Sequence, residues 1–76
     1  MPQQIPLSYL SPGTRATVSQ ITAGDNIRRR LQDLGFIKGA VVECVFKSPL
    51  GEPVAYYVKG ALIALRCEDS SKILVE

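Results

Sequence analysis

Proline and glycine punctuate the whole chain and limit the length of any regular element. Six glycines and five prolines divide the 76 residues into short segments. Both residue types favour turns and interrupt regular structure, so only short strands and helices fit between them. Five segments have an alternation of apolar and polar residues that is typical of half-buried strands. These strands are predicted over residues 14–21, 40–47, 53–59, 62–66 and 72–76.

The same alternation predicts which strand side chains face the core, because successive side chains of a strand point to opposite faces. The predicted inward residues are Ala16 and Val18 in the first strand, Val42, Cys44 and Phe46 in the second, Val54, Tyr56 and Val58 in the third, and Ile63 and Leu65 in the fourth.

One segment changes from a period of two to a period near four. Ile27, Leu31 and Leu34 fall on one side of a helix. Gly35 suits the left-handed position that ends a helix, and Phe36 after it can cover Leu31 in a Schellman arrangement. The sequence therefore predicts one helix that stops at Gly35.

At the start of this helix, Asp25 or Thr22 can accept hydrogen bonds from the first free amides. The predicted fold class is then mainly β: about five short strands with one α-helix inserted after the first. Such a chain is expected to form a small, partly open β-barrel.

The size and composition of the chain limit the functions that it can have. A chain of this length buries only about 60% of the surface that its unfolded form exposes, so a large enclosed active site is difficult to build. It contains no histidine, and its acidic residues show no paired spacing. No segment has the ~18 apolar residues of a membrane span, and the N-terminus is unlike a signal peptide. We expect a cytoplasmic protein that is not an enzyme and does not insert into a membrane.

Three consecutive arginines at positions 28–30 raise the question of nucleic-acid binding. Consecutive helical residues point about 100° apart, so these side chains cannot share one face. Asp25 and Asp33 have the spacing of helix charge pairs with them. The net charge of +2 is also small for a nucleic-acid binder. A solvated helix surface is favoured, with partner contacts by Arg29 and Arg30 as the alternative and no nucleic acid expected.

The two cysteines are the only soft metal ligands that the chain offers besides its single methionine. Cys44 falls in an inward strand position, where cysteine behaves as a small apolar residue. Cys67 and Glu68, with Asp69 beside them, form a weak candidate metal site, although no zinc motif is present.

The loop Ser48-Pro49-Leu50-Gly51-Glu52-Pro53 supports two interpretations. Leu50 folds back on the barrel in an ordinary hairpin connection, or it forms an apolar tip that is offered to a partner.

Several short patterns, taken together over residues 7–76, resemble the FeoA family. The matching patterns are Leu7-x-x-Leu10-x-Pro12-Gly13-x-x-Ala16-x-Val18-x-x-Ile21, Arg29-Arg30-Leu31-x-Asp33-Leu34-Gly35, Gly39-x-x-Val42, Pro49-Leu50-Gly51-Glu52-Pro53, Gly60-x-x-Ile63-Ala64-Leu65-Arg66 and Ile73-x-Val75. The resemblance implies an SH3-like barrel over residues 7–76, preceded by a short N-terminal tail of residues 1–6.

The resemblance also implies an accessory role in bacterial ferrous iron uptake through protein contacts with FeoB, a membrane GTPase permease. The residues expected to contact that partner are Pro49, Leu50, Tyr57, Leu62, Arg29 and Arg30. No cofactor is expected, and weak self-association is compatible with this role. The alternative is a sensor that binds Fe(II) or another divalent transition metal, related to the C-terminal domain of iron-dependent repressors.

Overall fold

The computed structural model describes residues 3–76, which form six β-strands, two α-helices and one 3-10 turn. The strands are β1 (Ile5–Pro6), β2 (Arg15–Ile21), β3 (Val41–Lys47), β4 (Val54–Val58), β5 (Ala61–Leu65) and β6 (Ile73–Val75). The α-helices are α1 (Asp25–Asp33) and α2 (Cys67–Ser70), and the 3-10 turn is Leu7–Tyr9. None of the helices within residues 3–76 combines the length and the apolar character needed to cross a bilayer.

The strands form one antiparallel sheet in the order β1-β6-β2-β3-β4-β5. Strands β3, β4 and β5 are successive hairpin neighbours, and β6 returns to pair with β2. Helix α1 is inserted between β2 and β3. The predicted fold class, mainly β with one inserted helix, is confirmed.

Strand β1 is the one strand that the sequence did not predict. Ile5 pairs with Val75 and Pro6 with Leu74, and Ile5 packs against the core. Residues 5 and 6 therefore belong to the sheet, although they were assigned to the tail of residues 1–6. A two-residue strand has no periodicity to read, and it forms because β6 offers it a free edge. Met1 and Pro2 of the predicted tail lie outside the described residues.

Most of the predicted inward positions are confirmed. One core contains the buried side chains of the 3-10 turn, the strands and the helix region: Leu7, Val18, Leu31, Phe36, Val42, Cys44, Val54, Tyr56, Val58, Leu65, Ile73 and Val75. Ala16 and Ile63 are half-buried and pack against this core.

Phe46 is the exception, because it is 56% exposed. The register between β3 and β4 shifts between Cys44 and Phe46, so Val45 is an extra residue in β3. A bulge of one residue moves every later side chain to the opposite face of the strand. The inward prediction for Phe46 is therefore wrong.

The predicted end of α1 at Gly35 is confirmed, together with its Schellman arrangement. Gly35 has a φ of 115°. The N–H of Phe36 donates to the carbonyl oxygen of Leu31 at 3.1 Å, and that of Gly35 to Gln32 at 3.0 Å. This is the Schellman pattern, and it directs Phe36 into the core.

The predicted start of the helix is wrong, since Gly24 occupies the N-cap position and no side chain caps it. Thr22 Oγ1 instead donates to the carbonyl oxygen of Lys72 at 3.2 Å, which ties the end of β2 to the start of β6.

Candidate functional site

The outer side of β3, β4 and β5 is an exposed and largely apolar surface. Phe46, Ala55 and Ala64 lie side by side in one cross-strand row. Tyr57 and Leu62 lie side by side in a second row. We call these five residues the outer apolar face. Because strand register places them next to one another, they form one contiguous surface and not scattered apolar groups.

The large side chains of this face are well exposed: Phe46 to 56%, Leu62 to 63% and Tyr57 to 48%. Single exposed apolar residues are normal, whereas a contiguous apolar face is typical of a contact site. The structure places Tyr57 and Leu62 outward, as expected from the sequence, and the register of β4 and β5 brings them side by side. Their contact with a partner stays a prediction.

A polar rim borders the face on the β2 side. Glu43 extends the row of Tyr57 and Leu62 into β3, and Arg15 extends it into β2. Arg15 Nε and Glu43 Oε1 form an ion pair at 3.2 Å. These two side chains, with Val41, Tyr57 and Lys59, line a shallow depression of about 300 Å³. An apolar centre with a charged rim is the usual anatomy of a protein contact surface.

The loop between β3 and β4 presents an apolar tip beyond this face. Leu50 is 95% exposed, which excludes the interpretation that it folds back on the barrel. The base of the loop is ordered by Ser48, whose Oγ donates to the carbonyl oxygen of Pro53 at 2.8 Å. Gly51 N–H donates to Ser48 O at 2.8 Å. Pro49 and Leu50 are thereby held out on an ordered turn that begins just after the end of β3, where Phe46 is exposed.

Helix α2 supports the other side of the same loop. Glu52 Oε1 accepts a hydrogen bond from the backbone N–H of Cys67 at 2.9 Å. Cys67 Sγ lies 3.7 Å from the carbonyl oxygen of Gly51 and donates to it. Glu52 therefore positions the loop by capping the first turn of α2, since a carboxylate at a helix N-terminus satisfies a free amide. Sequence spacing did not suggest this role, because Glu52 and Cys67 meet only in the folded barrel.

The arginines lie on α1 and are not among the five residues of the outer apolar face. Their contact with a partner stays a prediction. Arg30 Nη2 lies 3.5 Å from Asp69 Oδ2, which links α1 to α2. Arg29 is exposed and forms no ion pair with any residue of 3–76. Among residues 3–76, no hydrogen bond or ion pair joins Arg29 or Arg30 to the loop of residues 48–53, to Tyr57 or to Leu62.

The predicted pairing of the arginines with Asp25 and Asp33 is also wrong. The ion pairs among residues 3–76 are Arg15–Glu43 and Arg30–Asp69. Arg28 donates instead to the carbonyl oxygen of Ala23 at 3.1 Å. Exposed helix charge pairs are worth only a few tenths of a kcal/mol, so a tertiary contact readily replaces them.

The candidate metal ligands do not form a metal-binding set. Among residues 3–76, no three histidine, cysteine, aspartate or glutamate side chains converge as a bound ion would require. Partial desolvation raises the pKa of the Cys67 thiol, and the hydrogen bond and charge of Glu52 raise this pKa further against the opposing charge of Lys47. Metals bind the thiolate, which a raised pKa disfavours. Without a third ligand of these types beside them, Cys67 and Glu68 do not form a metal site by themselves.

Cys44 is fully buried between β-strand neighbours, as the sequence predicted. Burial raises the pKa of its thiol. This cysteine is part of the core and is not available to a ligand.

The fold and its outer face define a class of protein. Six antiparallel strands around one core, with a helix inserted after β2, form a small barrel with an exposed apolar side. Similar solved structures include the FeoA-like protein of Clostridium acetobutylicum, at 29% identity with a TM-score of 0.91, covering 100% of this chain and 88% of that one. A zinc complex of FeoA from Stenotrophomonas maltophilia, a prokaryotic SH3 domain protein, is 37% identical with a TM-score of 0.82, covering 99% of this chain and 91% of that one. The class is the SH3-like barrel, as expected.

Residues 5–76 match the FeoA domain family, and the chain belongs to it. Over 70 residues it is 34% identical to the Fe(2+) transport protein A/Fe(2+) transporter FeoB fusion protein of Porphyromonas gingivalis. That match covers 92% of this chain and 8% of the fusion protein, so the chain corresponds to a small part of this relative.

Proposed function

We propose that this protein binds the cytoplasmic part of a FeoB-type permease and modulates ferrous iron uptake through protein contacts, without catalysis of its own. The observation that carries the proposal is the outer apolar face continued by the exposed tip at Leu50. A surface of this kind loses unfavourable contact with water when a partner covers it.

The fusion protein of Porphyromonas gingivalis supports the choice of partner. In that relative, a FeoA region and a FeoB region are joined in one chain. A covalent link raises the effective concentration of two modules, and it gives a lasting benefit when the modules bind each other. We infer the same association for this domain.

Docking can act on the permease by favouring one of its conformations. A bound domain shifts a conformational equilibrium by the difference between its affinities for the two states. The apolar face supplies affinity, while Arg29 is free to orient the encounter through its charge. Arg30 is less available, since it is paired with Asp69.

Leu50→Asp is expected to weaken binding to the FeoB cytoplasmic region by about tenfold or more, the effect of losing a contact worth about 1.4 kcal/mol. The fold should be retained, because Leu50 is almost fully exposed. Affinity is measured by calorimetry. Ferrous iron uptake is measured in a strain that lacks its own copy of this protein and carries the variant. Leu50→Ser separates loss of apolar contact from added charge.

Tyr9→Asp is the matched control. Tyr9 is also apolar and 72% exposed, but it lies in the 3-10 turn after β1 and outside the outer apolar face. It is expected to leave affinity and uptake unchanged. Normal affinity and uptake with Leu50→Asp would show that the loop does not contact the partner.

We also propose that this action requires no bound metal. Calorimetry with Fe(II), Mn(II) and Zn(II) is expected to show no stoichiometric binding at micromolar concentrations, and Cys67→Ala and Glu68→Ala are expected to retain uptake. Stoichiometric binding that either substitution abolishes would favour the metal-sensor alternative.

A further inference from the structure

Strand β5 is an unprotected edge of the sheet. It has five residues, pairs only with β4 among the strands of residues 3–76, and runs in regular register without a bulge. Its sequence, Ala61–Leu65, has neither a charged residue nor a proline. Proteins usually protect such edges with charges, prolines, bulges or very short strands. The opposite edge is protected in this way, since β1 has two residues and one of them is Pro6.

The turn before β5 determines which backbone groups point away from β4. Lys59 and Gly60 form a two-residue turn with φ values of 51° and 81°, which fits a type I′ hairpin. The residues that close such a turn, Val58 and Ala61, are a hydrogen-bonded pair. Because hydrogen-bonded and non-hydrogen-bonded pairs alternate in an antiparallel ladder, the N–H and C=O groups of Leu62 and Ala64 face the open edge.

These edge groups are free to receive another strand. In the described part of the chain, no loop or terminus donates to or accepts from the backbone of Leu62 or Ala64. Their side chains belong to the outer apolar face. An added strand would therefore form main-chain hydrogen bonds with β5 and widen an apolar surface that already exists, which is how strand-addition domains bind extended peptides.

The charges at the two ends of the edge indicate what kind of strand fits. Lys59 precedes β5 and Arg66 follows it, and both are exposed. Neither forms an ion pair within residues 3–76. Glu52 and Asp69 are engaged elsewhere, since Glu52 accepts from Cys67 N–H and Asp69 pairs with Arg30. Glu68 is exposed and forms no ion pair within residues 3–76. An extended apolar segment with an acidic residue at each end would meet a cation at both ends.

A second copy of β5 fits less well. Antiparallel pairing of two copies about Ile63 places Arg66 of one copy opposite Gly60 of the other. Lys59 is the next residue, so two cations would meet at each end of the paired strands. Like charges on neighbouring strands are unfavourable.

We propose that β5 is a strand-addition edge that binds an extended apolar protein segment with acidic residues at both ends. This property belongs to the isolated domain, and it holds whether or not the partner is FeoB. Its test therefore needs the purified chain alone, and a failure of the FeoB proposal leaves it standing.

The probe is the synthetic peptide acetyl-Asp-Val-Thr-Val-Thr-Val-Asp-amide, titrated into the isotope-labelled protein and followed by NMR. Saturable shifts are expected at the amides of Leu62 and Ala64, together with at least about tenfold slower hydrogen exchange there, since these groups become paired. The same peptide with lysine at both ends is expected to bind at least about fivefold more weakly. Absence of saturable binding at millimolar peptide, or equal affinity for both peptides, would overturn the proposal.

Ala64→Pro tests the main-chain contact directly. Proline removes the outward N–H of Ala64 but no hydrogen bond to β4, so the fold is expected to persist while peptide affinity falls at least about tenfold. Ala64→Val keeps the N–H and should bind normally. An equal loss of peptide affinity in both variants would mean that the peptide contacts only side chains.

A charge-reversed variant keeps the proposal testable if Ala64→Pro does not fold. Lys59→Glu combined with Arg66→Glu should reverse the preference between the two peptides. An unchanged preference would contradict the charge argument. Concentration-dependent shifts at Leu62 and Ala64 without peptide would instead identify a second copy as the occupant.

Discussion

Replacing Phe36 with alanine is expected to lower the free energy of unfolding by about 3–5 kcal/mol. Phe36 is 0% exposed and is directed into the core by the hydrogen bonds that end α1. A small domain has a total stability of only about 5–15 kcal/mol, and a 76-residue chain belongs near the lower end of that range. The variant should therefore be largely unfolded or close to it. Urea titration followed by far-ultraviolet circular dichroism measures the change.

Phe46→Ala is the control for this experiment, since it removes the same atoms from a different environment. Phe46 is 56% exposed because of the bulge at Val45, so its loss should cost about 1 kcal/mol or less. A large and similar cost at both positions would mean that Phe46 faces the core, as simple alternation predicts, and that the bulge is absent.

Replacing Gly35 with alanine is expected to lower the free energy of unfolding by about 1–3 kcal/mol, which is the second large effect on stability. The φ of 115° at Gly35 is one that residues with a side chain rarely adopt. A Cβ atom there would also lie 3.2 Å from Cγ and 3.3 Å from Cβ of Lys59. Both backbone strain and steric contact therefore oppose the substitution. Thermal unfolding followed by circular dichroism gives the change in stability.

Gly39→Ala isolates the contribution of the contact with Lys59. Gly39 has a similar φ of 90°, but a Cβ atom there would meet nothing within 4 Å. The loss of stability in Gly39→Ala should come from backbone strain alone, and it should be smaller than the loss in Gly35→Ala. A double-mutant cycle with Lys59→Gly should recover part of the cost of Gly35→Ala. No coupling between the two positions would show that the backbone accounts for the whole effect.

These two predictions concern residues that the fold needs, whereas the proposed contacts are made by exposed groups. Phe36 and Gly35 join α1 to the core and to the β4–β5 turn. Leu50, Tyr57 and Leu62 contribute little to the core, so their substitution can change binding without unfolding the domain. Variants of the two groups can therefore separate stability from function.

The hydrophobic period of β4 and the turn chemistry at the end of α1 predict the structure correctly. The alternation in β4 placed Val54, Tyr56 and Val58 inward, and all three are buried. Gly35 and Phe36 predicted the end of α1 down to its hydrogen bonds. In both cases the evidence lies within a few residues, and the hydrophobic period or the turn chemistry is strong.

Three of the errors originate in distant contacts. Strand β1 exists because β6 lies beside it, and Arg30 pairs with Asp69 although Asp33 is nearer in sequence. The bulge at Val45 depends on how β3 matches β4. None of these pairings leaves a local trace, because each joins segments that only folding brings together.

The sequence by itself determined the class of the fold, the position and end of the helix, and most of the core, because hydrophobic periodicity and turn residues act locally. Only the tertiary structure decided the candidate site. Strand register made Phe46, Tyr57 and Leu62 one surface, and hydrogen bonding between the loop and α2 supports the turn that carries Leu50. Pairing across the sheet also left β5 as an open edge, since an edge is defined by the strand that is missing beside it.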